Sequence, residues 1–303
     1  MGDTVAVLVT ISSTAADPTG LGYLLHKHPQ RVQQIDVSSG VAHVFYPEVT
    51  DERCTVALLL EVDPVGLVRG QRHAGAEAAS LAQYVNDRPY AASSMVAVAL
   101  NQVFRTAMAG RCTARPELVD QLLPLEVRVP ALPCRGGAGV AHRVFEPLGW
   151  SVVAGTVPLD PQLPEWGDSR YLDLRLTGRL RLADALNHLY VLLPVLDDAK
   201  HYWVGPDEVD KLVRAGDGWL ATHPDRELIT QRYLAHRRTL VASAVSRLAE
   251  VDDVEPERFD NAADPAPVRA RGGGQPWPCR SPAAALRGER RRALRLGGHG
   301  HGR

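Results

Sequence analysis

Leu172-Asp-Leu-Arg-Leu-Thr177 and, five residues on, Leu182-Ala-Asp-Ala-Leu-Asn-His-Leu-Tyr-Val-Leu-Leu-Pro194 decide the fold class. In the first stretch three leucines alternate with Asp173, Arg175 and Thr177, the period of a strand with one buried face. In the second, Leu182, Ala185, Leu186, Leu189, Tyr190 and Leu193 recur at helical spacing and form one apolar stripe. Pro194 is expected to end or kink that helix, because proline has no N–H to donate. A strand with one wet face, followed at once by an amphipathic helix, describes a sheet covered by helices on one side.

The same two periods recur on either side. Val5 to Val9 reads as a first strand, Cys54 to Val62 as another, and Leu125, Val127 and Val129 as a third between Pro124 and Pro130. Val32 to Tyr46 reads as a hairpin turning at Ser39-Gly40,. Ala91 to Ala109 is a long apolar helix closed by Gly110, and Gly139 to Leu148 a short one. Pro206 to Ala215 is another short helix, with proline in its first turn,. Thr222 is placed to cap a last helix running to about Leu248,. Strands come early and helices late, without βαβ alternation. The expected class is therefore α+β, an antiparallel-leaning sheet with helices packed on it and a helical C-terminal part. Residues 1–250 form the module, and Gly136-Gly137 marks a break between subdomains 1–135 and 138–250.

The net charge of −1 hides an asymmetry. Residues 1–264 hold 25 Lys+Arg against 34 Asp+Glu, a net of −9, while 265–303 hold nine arginines and one acid. An acidic body argues against broad nucleic-acid binding by that part. No run approaches the length of about 18 apolar residues that a membrane span needs, and the start lacks a basic leader. Cys54, Cys112, Cys134 and Cys279 are scattered without a C-x-x-C, which fits free thiols in a reducing cytoplasm.

Chemistry-bearing patterns are sparse. Gly136-Gly-Ala-Gly139 lacks the spacing of a dinucleotide loop and reads as a plain strand-to-helix connection,. His26 and His28 lie two apart on an expected helix, so they face apart. The densest polar cluster is Asp197-Asp198-Ala-Lys200-His201-Tyr202-Trp203. Asp198-Ala-Lys200 matches half of a metal-dependent nuclease site, with Glu165 or Asp168 as an earlier acid, so a nuclease is the alternative reading. The other reading is a loop whose acids meet solvent and whose aromatic residues meet a partner or the core. Trp166 and Trp219 both sit in loops beside glycine, where an aromatic residue either anchors an interface or covers a core edge.

Several long segments together carry a resemblance. They are Leu21-Gly-Tyr-Leu-Leu-His-Lys-His-Pro29, Ala42-His-Val-Phe-Tyr-Pro-Glu48 and Val62-Asp-Pro-Val-Gly-Leu-Val-Arg-Gly70. They continue with Gln83 to Ser94, Leu132-Pro-Cys-Arg-Gly-Gly137, Phe145-Glu-Pro-Leu-Gly149, Pro164-Glu-Trp-Gly-Asp-Ser169 and His188 to Gly205. Over roughly residues 4–250 the chain resembles the N-terminal region of the bacterial RNA 3′-terminal ribose 2′-O-methyltransferases. The resemblance implies a module that binds a polynucleotide kinase–phosphatase–ligase and switches on its ligase activity. RNA would be met indirectly, through that complex, in the cytoplasm and away from membranes. In that family the methyltransferase follows this region and uses S-adenosylmethionine and a divalent metal. This sequence shows no D-x-G-x-G-like loop and no E-x-x-E-H cluster, so no catalytic residue, cofactor or metal is expected in it. Asp197, Asp198, Lys200, His201, Tyr202 and Trp203 are the expected partner-binding residues. Residues 251–303 are expected to be a linker and a disordered tail, since their Arg, Gly and Pro bias leaves little apolar surface to bury. A basic arm and an out-of-frame reading of GC-rich DNA both fit that tail. The second is preferred, because the resemblance stops where the composition changes.

Overall fold

The computed structural model describes residues 5–62, 92–198, 207–234 and 238–251. Its elements run β1 (Val5–Ser13), α1 (Gly20–Leu24), β2 (Gln33–Val37), β3 (Gly40–Val49), β4 (Cys54–Val62), α2 (Ala92–Met108), β5 (Leu123–Pro133) and α3 (Ala138–Phe145). They continue with β6 (Trp150–Pro158), β7 (Asp168–Leu180), α4 (Leu182–Asp197), α5 (Asp207–Ala215), α6 (Arg226–Tyr233) and α7 (Arg238–Val251). The seven strands form one sheet in the order β2-β3-β4-β1-β5-β7-β6, antiparallel at every pairing. The α+β class follows from the two periods read above.

The register explains why one face is dry. Val56, Ile11, Val127, Leu176 and Val152 lie opposite one another in a row across five strands, and all five are buried. The adjacent row, Thr55, Ser12, Glu126, Thr177 and Ser151, points to the other face, because side chains alternate along a strand. On the apolar face α2 packs against β1, β2 and β4, while α4 packs against β5 and α2. Leu186, Leu189 and Leu193 of α4 are fully buried, each stabilising the fold by roughly 2 kcal/mol relative to exposure. α3 packs on β6, and α6 on α4. The opposite face is laced by ion pairs. Arg53 bridges Glu48 (3.3 Å) and Glu126 (2.8 Å), and Arg128 grips both carboxylate oxygens of Asp173 at 3.0 and 2.8 Å.

Several local expectations change. The hairpin turns at Ser38-Ser39, and Gly40 opens β3 instead of sitting in the turn. α1 stops at Leu24, so His26 and His28 are not helical. His26 takes a left-handed backbone (φ +54°) and its ring bonds the Arg111 carbonyl at 2.9 Å. The last helix is two, α6 and α7, and the Thr222 hydroxyl bonds the Trp219 carbonyl instead of capping either. β6 was not apparent in the sequence, because Val152-Val153 and Gly155 interrupt its alternation. Gly136-Gly137 lies inside one continuous sheet-and-helix assembly, with strands from both sides of it paired as β5 and β7.

The Asp197–Asp198 corner, a candidate partner-binding site

α4 does not stop at Pro194. The ring removes one helix bond, yet the helix continues to Asp197, and three of its last carbonyls find donors,. Asp198 N–H donates to Pro194 O (3.1 Å), and Arg135 N–H to Leu196 O (2.8 Å). Arg232 Nη1 donates to Val195 O (3.2 Å) and to Arg135 O (3.0 Å). Asp198 ends the helix in the left-handed region (φ +52°), which a short polar side chain tolerates better than most.

The two acids therefore sit at a closed corner. This corrects the expectation that they meet solvent from a loop. Asp197 is buried and accepts a hydrogen bond from the Ser93 hydroxyl at the start of α2. Burial pushes its carboxyl up to about 6; the Ser93 bond and Arg170 pull it down and Asp198 pushes it up further. The Asp198 side chain is 6% exposed and faces Arg135 Nη1 at 3.4 Å and Arg232 Nε at 3.8 Å. Arg135 is itself largely exposed and stands over the corner. Gly136 makes the loop possible. It has φ +99°, and a Cβ there would meet Val140 Cγ2 at 2.8 Å. The Cys134 thiol bonds Gly137 O, and burial raises its pKa to about 11, so it is a poor nucleophile.

Of the residues expected at the site, Asp197 and Asp198 are adjacent here, while Lys200, His201, Tyr202 and Trp203 lie outside the described residues. Glu165, in the connection from β6 to β7, and Asp168, the first residue of β7, are both exposed. Among the described residues no three His, Cys, Asp or Glu side chains gather in a way that could hold a metal ion. Ser93, Arg135 and Arg232 were not singled out from the sequence as site residues. Ser93 and Arg135 fall in segments that carry the resemblance, which is the signal that could have found them; Arg232 had none.

The two loop tryptophans have different fates. Trp219 Nε1 bonds Ala215 O at 2.8 Å, and its ring meets His188 and His223 edge-on at 5.1 and 6.0 Å. Trp150 Nε1 donates to His188 Nδ1 (3.2 Å), and burial lowers the His188 pKa to about 4. Trp166, in contrast, is 60% exposed.

Sheet, helices and corner together define an α+β module in which three of the resembling segments, far apart in sequence, meet around the end of one helix. The family model described as the "RNA repair, ligase-Pnkp-associating, region of Hen1" matches residues 7–249, and the chain belongs to that family. No curated protein gave a match. A chain in a solved structure of the "Pnkp1/Rnl/Hen1 RNA repair complex" is similar, with 15% identity and a TM-score of 0.47. The match covers 80% of this chain and 55% of that one, so this chain spans about half of its length.

Proposed function

We propose that this chain binds a bacterial polynucleotide kinase–phosphatase–ligase and switches on its ligase activity in RNA repair. The observation that carries this reading is membership, over residues 7–249, of a family described as ligase- and Pnkp-associating. The electrostatics fit a protein partner better than bare RNA, since residues 1–264 carry a net −9 and phosphates are repelled by such a body. RNA is then met through the complex, in the cytoplasm; among the described residues no helix is long and apolar enough to cross a membrane. Asp197, Asp198, Lys200, His201, Tyr202 and Trp203 are the proposed partner-binding residues, the last four of them outside the described residues. The nuclease alternative gains nothing from the described residues: two guanidinium groups, Arg135 and Arg232, approach the Asp198 carboxylate.

The test is a pull-down of the cognate kinase–phosphatase–ligase, followed by RNA sealing with and without the chain. Stimulated sealing is expected; binding without stimulation would remove the activating role, and no binding would remove the reading. This chain is also proposed to bind no S-adenosylmethionine. Calorimetric titration should be flat, and a saturable heat would overturn that.

A further inference from the structure

The two edges of the sheet are built differently. β2, at one edge, is five residues long and carries Asp36 with Gln33 and Gln34. Short, charged strands of this kind discourage pairing with another chain. β6, at the other edge, is nine residues long without a single charge, Trp150-Ser-Val-Val-Ala-Gly-Thr-Val-Pro158. Among the described residues no strand pairs with it on its outer side. An uncharged edge of that length is a template for an added strand.

The edge runs into an apolar arm. Leu159 N–H donates to Gly167 O at 3.0 Å, closing a hairpin between β6 and β7. Val153, Leu159 and Trp166 are 62, 60 and 60% exposed, and Val157 is exposed as well. Four large apolar side chains are thus exposed along one strand and its hairpin. Three acids, Asp160, Glu165 and Asp168, stand at the hairpin end, while Arg170 and Arg175 lie further along β7, Arg175 opposite Val153. Arg170, just inside β7, is close enough to the corner to lower the Asp197 pKa, so the arm springs from beside that corner.

We infer that the β6 edge and its arm are the docking surface for the protein partner, which adds a strand to β6 and receives Trp166 in an apolar pocket rimmed by basic side chains. This rests on the proposed association with the repair ligase. Charge selects the occupant. The acids of the arm call for arginine or lysine opposite, whereas a second copy would bring together two bodies of net −9.

Titration of purified kinase–phosphatase–ligase into the chain tests the surface. Trp166→Ala and Val153→Lys should each weaken binding about tenfold or more, with circular dichroism unchanged. Glu165→Lys should flatten the salt dependence of binding. Val32→Lys is the control, since Val32 is 70% exposed beside the opposite edge, and it should bind as the parent does. If the parent binds and the three arm variants bind equally well, this surface is wrong while the proposed function stands. If the parent does not bind, the proposed function falls and takes the surface with it. If light scattering shows a dimer of this chain that Val153→Lys dissociates, the edge serves a second copy and the inference is overturned.

Discussion

Trp219 and Trp166 start from the same kind of sequence, an aromatic residue beside glycine in a loop, and finish in opposite surroundings. Trp219 is fixed by a carbonyl and two imidazoles; Trp166 stands exposed on the hairpin between β6 and β7. The lesson is that local sequence places an aromatic residue in a loop, and only the elements opposite decide whether it is core or contact. The helical side is accordingly where stability should be lost on substitution, and the arm is where binding should be lost with stability kept.

The sharpest test of the helical side is Arg232→Ala. It removes one bond to the Val195 carbonyl at the end of α4, one to the Arg135 carbonyl, and one of the two cations beside the buried Asp198, and should cost about 2–4 kcal/mol in urea unfolding. Arg232→Lys should restore little, because an ammonium does not reproduce the planar fork. A loss below half a kcal/mol, roughly the effect of a surface change, would mean the corner is not closed.

Acid should act on the same layer. The folded His188 takes its proton only at about 4, against the usual 6.5. Between those values the unfolded chain binds a proton that the folded chain does not, so stability falls as pH drops from 6.5 towards 4, by up to about 3 kcal/mol. His188→Asn should flatten that slope in melts collected across the window.

Asp197 works in the opposite sense. Its folded pKa is raised from 3.8 to about 6, so its contribution is favourable below 3.8 and is lost as pH rises through 6. Asp197→Asn should therefore stabilise the chain at pH 7 by up to about 3 kcal/mol, with the gain vanishing near pH 3.5. No difference between the two pH values would show that the acid is not buried as described. The smallest effect is expected from Trp166→Ala, whose unfolding free energy should stay within about 0.5 kcal/mol of the parent. A larger loss would place Trp166 in the core and erase the contrast with Trp219.

Where one period dominated, the sequence was easily read. Leu172, Leu174 and Leu176 alternate cleanly because β7 lies between two strands with its leucine face buried, and that strand appeared where expected. β6 was missed for a physical reason: an edge strand packs less, so its outward positions can carry Val153 and Gly155 without disturbing the core. The corner was half legible. Asp197 and Asp198 stood out as neighbours, but their burial depends on Arg232, 34 positions away from Asp198 in sequence, and on tolerance of Pro194 within α4. No period of 2 or 3.6 residues encodes a tertiary cap.

β1, the first strand, ends up in the middle of the sheet, hydrogen-bonded to β4 on one side and β5 on the other. During synthesis it leaves the ribosome before either neighbour exists, and the second one is complete only at Pro133. The earliest residues must therefore wait for a distant partner, the kind of long-range pairing that slows folding. A deletion within Val5–Ser13 would thus cut at the seam, parting β2-β3-β4 from β5-β7-β6, rather than trimming a margin.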